Sequence, residues 1–296
     1  MSIIIKLGVD NGNYNTKSSE RMSYLSGLDR SDREFITPDM TVCYDKTYYA
    51  IGDKRMAFQQ DKTKSDDTFI LTLPSIAHAM KQAGTRDADI ILGVGLPIDV
   101  YSAQKAAFRE YFLRGEVEFF FENVPYHCRI ADCKVFAQGH AALCKYYMTF
   151  KNYTGITVVD IGGYTVDVLP VKKGKIDHGN CLSLRQGTIT LFHRIQKELQ
   201  SDNILLSDEL LTEAIHGHIE HSEKDHIEAV IEKQMQIYVQ ELLNALRERG
   251  FDLRLPLLFV GGGAELLGVR LYTKELTTTS VLDRFANAEG YKLLLG

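Results

Sequence analysis

The sequence predicts an α/β protein of two domains built on one duplicated unit. Short β-branched runs alternate with helical patterns along the chain, and a strand followed by an Asp-and-Gly turn occurs at Asp10 and again at Asp160. The length of 296 residues suits two domains of moderate size, each able to bury a core.

The first repeat opens with Ile3 to Val9, a β-branched and almost continuously apolar run that predicts a buried strand, and Asp10-Asn11-Gly12-Asn13 after it is strong turn chemistry. A hairpin is expected to return through Asn15-Thr16-Lys17. Leu25 to Lys64 mixes aromatic runs such as Thr47-Tyr48-Tyr49-Ala50-Ile51 with charged and turn residues, which predicts a small, exposed, peripheral β-containing insertion. Pro74 to Ala83 has helical spacing, Ala88 to Pro97 predicts a strand ending in a Gly/Pro loop, and a helix from Val100 to Leu113 follows. Glu116–Phe121 and Tyr126–Ile130 have strand character around the turn Glu122-Asn123-Val124-Pro125. Lys134 to Ala137 then leads into a helix beginning near Gln138, with Ala141, Leu143, Cys144 and Tyr147 at helical spacing.

At Ile156–Asp160 the chain starts over with a second β-branched strand and a second turn, Ile161-Gly162-Gly163-Tyr164. Helical segments are expected at Thr188–Leu199, Asp208–Ile215 and Lys224–Arg249, with Gly250 as a stop. Pro256–Val260 is a last buried strand ending at Gly261-Gly262-Gly263, and Phe285–Tyr291 a closing helix.

Composition narrows the function. With 34 Lys and Arg against 39 Asp and Glu, the net charge of −5 gives no global pull toward nucleic acid or anionic lipid, since such binding needs clustered cations that release counterions. Five cysteines without a C-x-x-C pair indicate neither a disulfide framework nor a zinc knuckle, and fit a reducing cytoplasm. No basic leader with an apolar core opens the sequence, and no window approaches the roughly 18 apolar residues of a membrane span. The expectation is a cytoplasmic protein without membrane contact.

Chemistry concentrates at the repeated turns. Mg²⁺ is a hard cation that keeps several waters, so carboxylates at strand ends, Asp10 and Asp160, can hold it through those waters while it bridges phosphate oxygens. Gly12, Asn13, Gly162 and Gly163 offer backbone donors to the phosphates, and Lys17 a cation from the returning strand. Two such half-sites facing each other would clamp one polyphosphate. Gly261-Gly262-Gly263 can pack backbone flat against a planar or phosphate group, because glycine removes the Cβ obstruction. Gly93-Val94-Gly95 is no dinucleotide fingerprint, since Leu96-Pro97 follows where another glycine must open a helix. The histidines at 216, 218, 221 and 226 lack H-E-x-x-H and sit in a mixed-charge stretch that reads as solvated surface.

These segments together resemble the actin-like ATPases, most closely the bacterial plasmid-segregation actins of the ParM/StbA type. Val9 to Lys17 looks like the first phosphate loop of that family, with Tyr14 and Asn15 among its members, and Val159 to Asp167 like the second, with Tyr164. Gly95-Leu96-Pro97 is similar to a turn of the ParM branch, and Gln138-Gly139-His140-Ala141-Ala142 resembles the first interdomain connecting helix. Phe259 to Ala264 looks like the adenosine loop, carrying Gly261, Gly262 and Gly263, and Ala286 to Gly290 like the second connecting helix.

The resemblance implies an actin-like fold of two duplicated ribonuclease-H-like domains with a nucleotide cleft between them. It implies one domain over residues 1–150, with an insertion at about 25–64 and the C-terminal helix of 283–296 packing back on it. The other spans 151–282, with a helical insertion at about 201–250. ATP, or GTP in its place, and Mg²⁺ are the implied cofactors. Gln138 would position the attacking water, and Asp160 would accept a proton and hold Mg²⁺ through water, with Asp10 on the metal's other side. The implied partners are further copies in a filament and a DNA-binding adaptor of the ParR type, with no direct contact to nucleic acid or membrane. The alternative is a non-polymerising small-molecule kinase or other ATPase of the same fold, for which the chain is short of substrate insertions.

Overall fold

The computed structural model describes residues 2–36, 40–57, 59, 61–268 and 279–296. The chain forms two compact units, residues 1–148 together with 285–296, and residues 149–284.

In the first unit the chain runs β1 (Ile3–Asn11), β2 (Asn15–Ser18), β3 (Ser23–Leu25), β4 (Gly27–Ser31), β5 (Thr41–Tyr44) and β6 (Thr47–Arg55). It continues through α1 (Asp67–Ile70), α2 (Leu73–Gln82), β7 (Asp87–Leu96), α3 (Ile98–Phe112), β8 (Gly115–Phe121), β9 (Val124–Ala137) and α4 (His140–Phe150). Among the described residues the strands form one sheet, ordered β3-β2-β1-β7-β9-β8-β5-β6-β4. β1, β7 and β9 are parallel neighbours, as helical crossovers require, while β2 and β8 close hairpins on β1 and β9. The β8–β9 hairpin turns on Glu122 and Asn123, both with positive φ, which matches the strands' right-handed twist.

Three expectations are corrected here. β1 is buried only in its C-terminal half, with Ile3 46% and Ile4 63% exposed. The segment predicted as peripheral is part of the main sheet: β5 pairs with β8, and Val42, Tyr49 and Ile51 join the core. Its alternating aromatic and β-branched residues fit a half-buried pleated edge. Residues 37–39, 58 and 60 of that segment lie outside the described residues. The strand expected to end at Ile130 runs on through Lys134–Ala137, which leads into α4 as expected, because after a register shift beyond Ile90 the pairing continues to Leu96 opposite Ala137.

The second unit holds β10 (Gly155–Ile161), β11 (Val166–Lys172), β12 (Lys175–Ile176), β13 (Leu182–Leu184), α5 (Thr188–Ser201), α6 (Asp208–Ile215) and α7 (Lys224–Glu248). β14 (Leu257–Val260), α8 (Gly262–Leu266) and β15 (Thr279–Val281) complete it. Its sheet is ordered β12-β11-β10-β14-β15, with β13 also on β11. β10 and β14 are buried at every position, the signature of strands covered on both faces. α7 buries Ile227, Val230, Ile231, Tyr238, Leu242 and Leu246 at helical spacing, and Gly250 ends it with φ of 81°.

The C-terminal helix α9 (Ala286–Leu294) belongs to the first unit. A Cβ on Gly8 would strike the Ala288 carbonyl, and one on Gly95 the Tyr291 ring, so these glycines let the helix lie against β1 and β7. Tyr291 is fully buried and stacks on Phe136 with centroids 5.8 Å apart. Among the described residues no helix is long and apolar enough to cross a membrane.

Candidate functional site

The duplication seen in the sequence recurs as one backbone device in each unit. β1 pairs with β2 antiparallel and β7 parallel, and β10 with β11 antiparallel and β14 parallel, so each Asp–Gly turn leaves a strand held on both edges. The register is equivalent: Asp10 stands opposite Lys17, and Asp160 opposite Asp167.

In the first hairpin Asp10 is 4% exposed. Its Oδ2 lies 3.8 Å from the Lys17 ammonium, and its Oδ1 accepts a hydrogen bond from Gln138 Nε2 at 2.9 Å. Gln138 is placed by three elements at once. Its N–H donates to the Leu96 carbonyl at the end of β7, Gly139 turns with φ of 70°, and the Gly139 N–H donates to Asn287 Oδ1 of α9 at 2.8 Å. Gln138 thus precedes α4 and reaches toward the carboxylate, beyond any capping role. The turn itself is pinned: a Cβ on Gly12 would sit 2.5 Å from the Asn15 carbonyl, and the Gly12 carbonyl accepts from Ser26 Oγ at 2.6 Å. Asn13, Tyr14 and Asn15 are half-buried, and the Arg55 guanidinium lies 5.4 Å over the Tyr14 ring.

A residue the sequence reading missed completes this cluster. Lys62, from the connection between β6 and α1, is 8% exposed and donates to the Asn11 carbonyl. Burial pushes its ammonium down to about 8, against the pull of the Asp10 carboxylate, with Lys17 adding repulsion. The buried group therefore contains two ammonium ions around one carboxylate. Asn11 donates its Nδ2 to Thr72 Oγ1, while its Oδ1 is buried with no hydrogen-bond partner among the described residues. Asp61-Lys62-Thr63-Lys64-Ser65 reads as a solvated charged loop, and no periodicity in it marks Lys62 as buried.

In the second hairpin Asp160 is 7% and Asp167 4% exposed, a pair of buried carboxylates on facing register positions. Thr165 Oγ1 donates to Asp167 Oδ2 at 3.3 Å. The Gly162 N–H closes the turn on the Thr165 carbonyl, and the carbonyls of Gly162, Gly163 and Tyr164 accept from the N–H groups of Thr188, Ile189 and Gly187. The start of α5 thus fixes the loop's peptide planes through their carbonyls.

Gly261 and Gly263 have an internal reason. A Cβ on Gly261, whose φ is 89°, would meet Asp160 Oδ1 at 2.5 Å, and one on Gly263 would meet Ile161 Cγ2 at 2.5 Å and Thr188 Cγ2 at 2.6 Å. These two glycines bring β14 and α8 against the end of β10, while Gly262 opens α8. Of the histidines, His218 pairs with Glu213 at 3.4 Å and His226 with Asp202 at 2.9 Å.

The donor set suits a hydrated hard cation with an anion. Each hairpin by itself offers a buried carboxylate at a strand end, Asp10 in the first and Asp160 in the second, the hard oxygen donor that a hydrated Mg²⁺ takes through its waters. The buried cation excess beside Asn11 suits phosphate oxygens.

Residues 8–140 match the family model of the actin-like proteins' N-terminal domain, and residues 158–273 that of the C-terminal domain of the archaeal MreB-like actin homologue. No curated protein sequence matches the chain significantly. Among solved structures, the archaeal actin homologue Ta0583 in complex with ADP is 20% identical with a TM-score of 0.78, over 97% of this chain and 98% of that one. The apo pSK41 ParM protein is 16% identical with a TM-score of 0.76, over 99% and 97%. A ParM of Clostridium botulinum, solved as a 15-stranded filament, is 18% identical with a TM-score of 0.73, over 99% of each chain. At these identities the likeness is one of fold.

Proposed function

The chain belongs to the actin-like proteins, and on that premise we propose that it is an ATPase that binds ATP with Mg²⁺ through its two carboxylate–glycine hairpins and assembles into dynamic filaments. The cargo we propose is plasmid DNA, reached through a separate DNA-binding adaptor, since a net charge of −5 gives the chain no electrostatic hold on DNA itself. The observation that carries the nucleotide reading is the first hairpin, where a buried carboxylate, two buried ammonium ions and a positioned glutamine converge. The ADP complex of the archaeal actin homologue and the filament of the Clostridium botulinum ParM support the ligand and the assembly.

Each residue's part follows from its chemistry. Lys17 donates to phosphate oxygens, and of the turn residues Asn13 and Gly163 offer their backbone N–H groups, whereas those of Gly12 and Gly162, expected from the sequence to do the same, close their own turns on the Asp10 and Thr165 carbonyls. Gln138 gives one of its two amide N–H groups to Asp10, which fixes the amide's orientation and leaves its Oε1 as an acceptor for a water proton. Asp160 accepts the proton of the attacking water, directly or through a second water. Mg²⁺, held through water by Asp10 and Asp160, would neutralise charge developing on the transferred phosphoryl group. Tyr14, Asn15, Tyr164 and Gly261 to Gly263 would line the nucleotide.

Light scattering of the purified chain on adding Mg²⁺-ATP, with phosphate release followed in the same cuvette, tests this. Scattering is expected to rise above a critical concentration and to decay as phosphate accumulates. Asp160→Ala should abolish hydrolysis in a folded protein, and Gln138→Ala should slow turnover while sparing ATP affinity. Phosphate release without scattering at any concentration would point to a soluble kinase of the same fold.

A further inference from the structure

Lys62 lies outside both hairpins, yet its ammonium is buried against one of them. We propose that Lys62 is a phosphate-contacting residue of the first half-site, and that this contact couples the connection between β6 and α1 to occupancy of the site by a polyphosphate. The proposal rests on the reading of that hairpin as a polyphosphate site.

A merely structural tether from the connection to the Asn11 carbonyl needs one neutral donor. The fold places a full cation there instead, 8% exposed and close enough to a second buried cation, Lys17, to feel its repulsion, with Asp10 as the one carboxylate acting on it among the described residues. Buried charge without a matching counter-charge is among the most unfavourable arrangements a fold can hold. An anion at this place supplies the missing charge. An ammonium has three N–H donors, and among the described residues Lys62 gives one of them to Asn11. The rest can reach phosphate oxygens. Asn11 makes the same point with the opposite polarity: its Oδ1 is an acceptor, in a residue 3% exposed, and without a hydrogen-bond partner among the described residues. Phosphate cannot satisfy an acceptor, but a water carried in with a hydrated Mg²⁺–polyphosphate can.

The coupling follows from where Lys62 sits in the chain. Arg55 at the end of β6 lies over Tyr14 of the turn, and Lys62, five residues before α1 begins at Asp67, reaches Asn11, so the connection is held to the hairpin at these two positions. Drawing Lys62 onto a phosphate oxygen tightens that fastening, and an empty site leaves an unbalanced charge to loosen it.

The test uses the full chain and isothermal titration with two probes, Mg²⁺-ATP and inorganic tripolyphosphate, on the parent, Lys62→Met and Lys62→Arg. Lys62→Met keeps the aliphatic stem and removes the charge, and is expected to lose at least about tenfold in affinity for both probes, with most of it restored in Lys62→Arg. The ligand-free Lys62→Met protein should melt no lower than the parent, because the charge it removes is uncompensated; a structural tether would lower the melting temperature instead. Parental affinities in a folded Lys62→Met, or a fall in melting temperature with affinities that Lys62→Arg leaves low, would overturn the role of Lys62 and leave the ATP reading standing. A parent that binds tripolyphosphate through Lys62 but not Mg²⁺-ATP would keep Lys62 and remove the ATP reading. Binding of neither probe would overturn both.

Discussion

Asp10 and Lys62 show how much a single buried charge decides in this chain. Asp10 lies 3.8 Å from the Lys17 ammonium and acts electrostatically on that of Lys62, so Asp10→Asn keeps the shape of the turn and strips both cations of their counter-charge. Such a loss costs about 3–5 kcal/mol, and urea unfolding of the ligand-free protein should show it; a variant as stable as the parent would contradict the pairing. Lys62 makes its own prediction in pH. Its ammonium is held down from 10.5 to about 8 by burial, against Asp10 on β1 and with the repulsion of Lys17 on β2. Between those two values the unfolded chain holds a proton that the folded chain has released, so stability rises with pH across the window, by up to about 3 kcal/mol. Below about 8 both states are charged and the folded state carries the whole penalty. Cys128 and Cys133, pushed up to about 12 by burial, act in the opposite sense as the medium becomes more alkaline, because the folded state keeps protons that the unfolded thiols lose. The difference between parent and Lys62→Met therefore isolates the lysine, and identical pH slopes in the two would assign the effect to another group. Asp10 and Lys17 are legible in the sequence as the carboxylate and cation of the first hairpin, but Lys62 is not, since there it is one of several charges in a loop and its burial is a tertiary fact.

At the scale of elements, what the sequence displayed was whatever local chemistry decides. Each Asp–Gly turn follows a strand, and both hairpins have the same length between the aspartate and its register partner, which is why the repeat could be read without a structure. What it hid depends on a distant partner. That β9 runs past Ile130 to Ala137 before the helix entry is one such case, because nothing local says that β7 will pair with it to the last residue. Gly93 and Gly95 could be excluded as a dinucleotide motif, but their purpose needs Tyr291, almost 200 residues away in the chain, lying on the strand. Gly261 and Gly263, whose pattern in the sequence points to a ligand, are in addition required by the end of β10, which a Cβ on either would strike. The α9 contact is testable as a pair. Gly95→Ala places a methyl against the buried Tyr291 ring and should cost about 1–3 kcal/mol by overpacking. Adding Tyr291→Leu, which removes the obstructing ring end, should recover part of that loss, so the double-mutant cycle should show a coupling of about 0.5 kcal/mol or more. Strict additivity would mean that the helix does not rest on this strand.

For the molecule as a whole, the two units each carry a buried sheet and one Asp–Gly hairpin, so each can be asked separately whether it serves the nucleotide. The chain contains no Trp, and hydrogen exchange read by mass spectrometry gives a peptide-resolved signal in its place. Ligand that binds only the folded form at 100 times its dissociation constant stabilises by about 2.7 kcal/mol, which is about a hundredfold slowing for amides whose exchange requires an opening that releases it. Saturating Mg²⁺-ATP should therefore slow exchange in peptides covering Asn11 to Thr16 and in those covering Ile161 to Val166, and tripolyphosphate should slow both as well. Peptides of α7, which has no part in either hairpin, should change far less. Two shared half-sites require protection in both units at the same nucleotide concentration. Protection confined to the first hairpin would leave the lysine-bearing turn as an anion site of its own and would remove Asp160, Gly162 and Gly163 from the nucleotide, because a ligand that one unit holds alone gives the other unit's hairpin no reason to stay closed.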